Sequence, residues 1–263
     1  MSYFHWSIDP VLLHLEPLQL RWYGIFFVGS FFLGLALLKW IFKREGKDGE
    51  PLDNLLIYIL IGAVIGARLM HCFAYEPAYF ISHPLEVLKI YKGGLASHGG
   101  LLGSIVAIWL FCKRYKLDFL WLLSRTAIAG NITAASVRIG NFFNSEILGK
   151  PTDLPWAVVF DNIDNIPRHP VQIYEAIGYI AIFFLMLSVY KKTTPNRATK
   201  ILPGVFLVAM FTIRFLLEYT KTKQADYSWS IPLSTGQVLS LPLIIIGLVW
   251  IVTALKSGKA ETK

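Results

Sequence analysis

The run Arg138-Ile139-Gly140-Asn141-Phe142-Phe143-Asn144-Ser145-Glu146 brings a guanidinium, two carboxamides and a carboxylate close together in the chain. A guanidinium offers a planar fork of donors that matches phosphate oxygens, and a carboxamide can bind a hydroxyl or steer the fork. Gly140 among these groups suggests a turn with exposed backbone amides, which also attract an anion. The run suits a phosphate or a polyol, and equally a loop that caps the preceding helix. A second arginine, Arg214, stands in Phe211-Thr212-Ile213-Arg214-Phe215-Leu216-Leu217-Glu218. Arginine inside a membrane span costs about 2.5–3.5 kcal/mol on insertion scales, so it pairs or faces water. Glu218, one helical turn on, offers an internal ion pair. An anionic ligand is the alternative partner.

His98 lies among five glycines in Gly93-Gly94-Leu95-Ala96-Ser97-His98-Gly99-Gly100-Leu101-Leu102-Gly103. A neutral imidazole can take a proton from a thiol or hydroxyl, although a lone histidine also serves in structure. The glycines permit close helix packing, with Gly99 and Gly103 at small-xxx-small spacing. Gly62 and Gly66 read the same way and carry no chemistry. His169-Pro170-Val171-Gln172-Ile173-Tyr174-Glu175 sets four polar side chains at a helix entry, with Gln172 and Glu175 on one face. It serves a site, or only an interfacial anchor and cap. Trp22-Tyr23-Gly24 reads first as an aromatic belt. Arg68 and Arg125 read as structural, Arg68 at a polar helix end and Arg125 reaching toward the inner surface. Cys72 and Cys112, without a CxxC or Cys/His cluster, are packing residues.

These groups need a membrane scaffold. Of the 263 residues, 55% are apolar and 16% charged, against about 45–50% and 25% in soluble domains. A disordered chain is excluded and a soluble globular domain disfavoured. Low-charge windows of about 19 residues predict an all-α polytopic membrane protein of about seven spans in one domain, 1–263. The spans are Trp22–Leu38, Asn54–Ala67 extending to Tyr75, Gly93–Cys112, Phe119–Val137, Ala176–Tyr190, Ile201–Tyr219 and Trp229–Leu255. The N-terminus has no basic leader and carries Asp9 and Glu16, which argues against a cleaved signal peptide. Fourteen of the 25 Lys and Arg fall in one set of loops and eight in the opposite set. The positive-inside rule then puts the N-terminus outside and the C-terminus inside. The net charge of +8 thus reflects inner loops facing anionic lipid heads, rather than nucleic acid.

The outer segment 138–170 is long and proline-rich. Pro151, Pro155, Pro167 and Pro170, with Trp156, Val158, Val159 and Phe160, predict a small folded insertion rather than a flexible linker. Chemistry is expected on this side.

In their order along the chain, Trp22-Tyr23-Gly24, Gly66-Ala67-Arg68, Ser97-His98-Gly99-Gly100, the RxGNFxNxE run from Arg138, the HPxQxYE run from His169, Arg214-Phe215-Leu216-Leu217-Glu218 and Ser234-Thr235-Gly236-Gln237 resemble the prolipoprotein diacylglyceryl transferase family along nearly the whole chain. The resemblance implies a bacterial inner-membrane enzyme of seven helices with a periplasmic arm and head between the fourth and fifth spans. It implies transfer of the diacylglyceryl group of phosphatidylglycerol to the lipobox cysteine thiol of a prolipoprotein, releasing glycerol phosphate, with no metal or cofactor. The implied catalytic residues are His98, Arg138 and Arg214. The implied substrate contacts are Tyr23, Arg138, Asn141, Asn144, Glu146, Gly149, His169, Gln172 and Glu218, of which Gly149 rests on the resemblance alone. On this reading Glu146 and Glu218 hold the arginines in place. Val137, Met210 and Ser124 stand where the family usually has Gly, Tyr and an acid. A transporter or lipid-binding protein is a second class, disfavoured by the lack of an internal repeat. An intramembrane serine protease lacks its motif.

Overall fold

The computed structural model describes residues 3–15, 18–49, 51–90, 93–222 and 233–260. The helices among them are α1 (Trp22–Arg44), α2 (Leu52–Met70), a short α3 (Pro77–Ser82), α4 (Ser97–Tyr115), α5 (Phe119–Phe143), α6 (Val171–Lys192), α7 (Pro195–Leu217) and α8 (Thr235–Ala260). The strands are β1 (Phe4–Trp6), β2 (Val11–Leu15), β3 (Leu18–Arg21), β4 (Val158–Phe160) and β5 (Pro167–Arg168). The protein is mostly helical, but the all-α expectation needs correcting for these strands. β1 pairs parallel with β4, β4 antiparallel with β5, and β2 with β3 in a hairpin. All three residues of β4 are buried.

Among the described residues, five helices are long and apolar enough to cross a membrane: Trp22–Arg44, Leu52–Tyr75, Val171–Lys192, Pro195–Thr220 and Thr235–Ser257. α4 opens on Ser-His-Gly-Gly and α5 carries Arg125, Asn131, Arg138 and Asn141, so neither is apolar enough by composition. Several boundaries move. Gly93 and Gly94 have φ of +85° and +71°, so α4 starts at Ser97 and not at Gly93. α5 runs on to Phe143, through Arg138. The predicted last span started at Trp229, which lies outside the described residues.

The chain forms two compact units, Met1–Ala36 with Thr126–Lys263, and Leu37–Arg125. In the second unit α2 packs on α4 through glycines. A Cβ on Gly66 would overlap the Gly99 carbonyl oxygen and stand 2.8 Å from the Gly103 Cα. A Cβ on Gly103 would overlap the Gly62 carbonyl. Lipid gives helices little hydrophobic reason to associate, so bare backbone contact of this kind carries the pairing.

Two arginines of this unit, Arg68 and Arg125, are buried and fully engaged. Arg68 donates to the carbonyls of Val87 (2.9 Å), Gly93 (2.7 Å), Glu86 (2.6 Å) and Gly94 (3.3 Å), and so braces the chain leading into α4. Arg125 does not reach the surface as expected. Its guanidinium, with no exposed area, grips Glu45 through Nε (3.1 Å) and Nη2 (2.9 Å). Trp121 Nε1 donates to the same carboxylate at 2.6 Å, and Ser124 Oγ accepts from Arg125 Nη1 at 2.8 Å. Glu45 thus supplies from another helix end the acid that Ser124 lacks. Cys72 and Cys112 are buried free thiols.

In the first unit Gly204 on α7 and Gly247 on α8 meet backbone to backbone, and Gly178 on α6 receives Ile213 of α7. Phe142, Val158 and Phe160 form a core with Trp6, Phe143, Leu148 and Ile173 around the small sheet. This core ties the end of α5 to the folded segment after it.

Candidate active site

Arg138 and Asn141 lie on the last turns of α5, not in a turn. The expected turn at Gly140 is replaced by helix because Phe142 and Phe143 are held by Trp6, Trp22 and Phe160. Gly140 serves a close approach instead. A Cβ there would stand 2.7 Å from the Tyr23 ring, so the ring lies on bare backbone. The Tyr23 phenol is within electrostatic reach of Glu146 and Arg138. The real turn follows, where Ser145 and Ile147 both adopt φ of +55° on either side of Glu146. Non-glycine residues rarely take that conformation, and such strain clusters at functional sites.

Glu146 organises the carboxamides. Asn141 Nδ2 donates to its Oε2 at 3.1 Å and Asn144 Nδ2 to its Oε1 at 3.2 Å. Gln172 Nε2 donates to the Glu146 carbonyl at 2.5 Å. The buried oxygens Asn144 Oδ1 and Gln172 Oε1 accept no hydrogen bond from the described residues. Buried acceptors of this kind suit a ligand that carries hydroxyls. Arg138 Nη1 donates to Asn141 Oδ1 at 3.3 Å.

The expected carboxylate partners of the arginines are not the observed ones. Arg138 Nε lies 2.9 Å from Oε2 of Glu175, which is only 2% exposed. Lys221 Nζ binds the other oxygen at 2.6 Å. Among the described residues Arg214 forms no ion pair, with Glu218 or any other. The Glu218 carboxylate lies against the Gly236 backbone at the start of α8, where the helix dipole favours negative charge. Arg214 is half-buried, and no carboxylate among the described residues matches its charge. The Tyr179 phenol on α6 is within electrostatic reach of Arg138, Glu175 and Arg214, so both arginines serve one neighbourhood.

The loop after Glu146 is stitched to the end of α7. Gly149 and Lys221 form a β-bridge, Lys150 N donates to the Thr220 carbonyl at 2.9 Å, and Thr222 Oγ1 to the Leu148 carbonyl at 3.2 Å. A Cβ on Gly149 would overlap the His169 carbonyl, so only glycine fits. His169 Nδ1 lies 3.3 Å from the Tyr174 hydroxyl. Burial, and then the charge of Lys150, hold its imidazole below the ordinary histidine value. Tyr174 also accepts from Trp156 Nε1 at 2.7 Å.

One unit therefore holds Tyr23, Arg138, Asn141, Asn144, Glu146, Gly149, His169, Gln172, Arg214 and Glu218. His98 belongs to the other unit, exposed at the second residue of α4. Among the described residues its imidazole has no hydrogen-bond partner. Sequence reasoning left out Glu175, Tyr179 and Lys221. Glu175 was legible within the HPxQxYE run, whereas nothing in the sequence singled out Tyr179 or Lys221.

The family model for prolipoprotein diacylglyceryl transferase matches residues 10–253. The chain belongs to the prolipoprotein diacylglyceryl transferase family. It is 48% identical over 252 residues to the phosphatidylglycerol–prolipoprotein diacylglyceryl transferase of Tolumonas auensis, covering 95% of this chain and 97% of the relative. The protein of the same name from Chloroherpeton thalassium is 44% identical over 261 residues, covering 99% and 97%. That from Bacteroides fragilis is 37% identical over 256 residues, covering 93% and 92%. The length covered makes this a likeness of whole chains.

Proposed function

We propose that this transferase moves the diacylglyceryl group of phosphatidylglycerol to the lipobox cysteine thiol of a prolipoprotein, the first step of lipoprotein maturation. The thiol sulfur forms a bond to the glyceryl carbon, the carbon–oxygen bond to the phosphate breaks, and glycerol phosphate leaves with that oxygen. The phosphate passes from a monoanion toward a dianion, so donors that meet the added charge lower the barrier. Arg214, with no carboxylate partner among the described residues, is the observation that carries this reading. Arg138 joins it on the phosphate. Asn141, Asn144, Glu146 and Gln172 receive the glycerol head, Tyr23 contacts the lipid, and Gly149 and His169 shape the wall. Glu218 borders the site without pairing to Arg214.

A cysteine thiol, with an unperturbed pKa of about 8.5, is mostly protonated at neutral pH, and His98 is the base that takes its proton. His98→Gln is expected to cut turnover by about a hundredfold and to remove the acidic limb of the pH–rate profile. An unchanged profile would rule out His98 as the base and leave the family assignment standing. Seven spans, with α4 and α5 crossing the bacterial inner membrane as the five apolar helices do, make up one domain, 1–263. The N-terminus and the folded segment 138–170 then face the periplasm, and the C-terminus the cytoplasm.

The test is direct. Purified protein given phosphatidylglycerol and a lipobox peptide is expected to add a diacylglyceryl group to the peptide, and a Cys-to-Ser peptide is expected to stay unmodified. An unmodified cysteine peptide sinks the proposal.

A further inference from the structure

Glu175 is a nearly inaccessible carboxylate with two cations on it, so the trio carries a net positive charge. The two contacts differ in quality. Lys221, with a side chain only 10% exposed, makes an aligned hydrogen bond of 2.6 Å to Oε1. Arg138 Nε lies 2.9 Å from Oε2, yet its N–H is not aimed there, and Oε2 has no aligned donor among the described residues. Most of the five guanidinium N–H groups are therefore not committed to Glu175. Lys221 is also fixed in place, because it forms the bridge to Gly149 and follows the 3₁₀ turn Glu218–Thr220 at the end of α7.

We propose that Lys221 is a positioning residue for the transferase reaction: it engages Glu175 so that Arg138 keeps its charge and its donor fork for the lipid phosphate. The inference rests on the transferase reading above. Without Lys221, the carboxylate closes on Arg138 in the bidentate geometry that arginine and carboxylate favour. The guanidinium is then neutralised and turned from the lipid. With Glu175 neutralised as well, Arg138 is again a free cation and the net charge of the trio is restored.

The test measures kcat and KM for phosphatidylglycerol in mixed micelles, with thermal unfolding run alongside. Lys221→Met is expected to lower kcat/KM by about tenfold or more, and Lys221→Arg to stay within about threefold of the parent. The double variant Lys221→Met with Glu175→Gln is expected to recover to within about threefold. A structural role alone predicts the opposite order, because the double variant removes both ends of the bridge. Parent-like kcat/KM in Lys221→Met, or a double variant no better than it, overturns the proposal. If Lys221→Met does not fold, the double variant against the parent decides: recovery within about threefold supports the proposal and a loss beyond about tenfold overturns it. A parent protein that makes no adduct in this assay overturns the transferase reading, and this inference with it.

Discussion

Arg214→Ala is expected to lower kcat/KM for phosphatidylglycerol by about 10²–10³ while the helices remain intact. Arg214 holds no ion pair among the described residues, so its removal strands no buried carboxylate. What it loses is attraction for a phosphate whose charge grows as the leaving group departs. Such a contact strengthens toward the transition state, so most of the loss falls in kcat rather than KM. Arg138→Ala is a less clean probe, because it leaves Glu175 with Lys221 alone. Steady-state turnover in detergent, with a thermal melt of each variant, checks the expectation. Parent-like turnover in Arg214→Ala refutes the phosphate contact.

The second large effect is on stability. Gly66→Ala is expected to destabilise the α2–α4 pair by about 2–3 kcal/mol or to prevent accumulation. The added methyl would overlap the Gly99 carbonyl and crowd Gly103, and both obstacles are backbone. A side chain could rotate away, but a helix backbone must move as a unit and loses its other close contacts in doing so. Gly29→Ala on α1 meets nothing within 4 Å and is expected not to destabilise, since alanine is the better helix former. Thermal unfolding of the two variants under one detergent condition makes the comparison. Equal melting temperatures would show that the α2–α4 contact is not what holds the pair.

Much of this was legible in the sequence because lipid imposes simple rules. Long apolar runs marked the five most apolar helices, and glycines at four-residue spacing marked the α2–α4 contact. What misled was locality. Arg214 and Glu218 are one turn apart, but Glu218 lies against the start of α8. The carboxylate that meets Arg138 comes from α6, with spacing that no local pattern reveals. Gly140 looked like a turn because glycine and asparagine favour turns, yet aromatic packing around Phe142 and Phe143 extends the helix. The turn moved to Ser145 and Ile147, residues that seldom accept positive φ. The β1–β4 pairing escaped notice because its partners lie more than 150 positions apart.

The departures from the family pattern have partial accounts. Ser124 accepts a hydrogen bond from Arg125 while Glu45 provides the charge. Met210 removes one phenol, and the Tyr179 phenol stands within electrostatic reach of both site arginines. Nothing in the structure explains Val137.

The most direct measurement of the central claim is which bond of the lipid breaks. Phosphatidylglycerol labelled in its head glycerol, incubated with the protein and a lipobox peptide, is predicted to release one glycerol phosphate for each thioether formed. Release of free glycerol with phosphatidic acid, or a thioether without matching glycerol phosphate, would contradict the account.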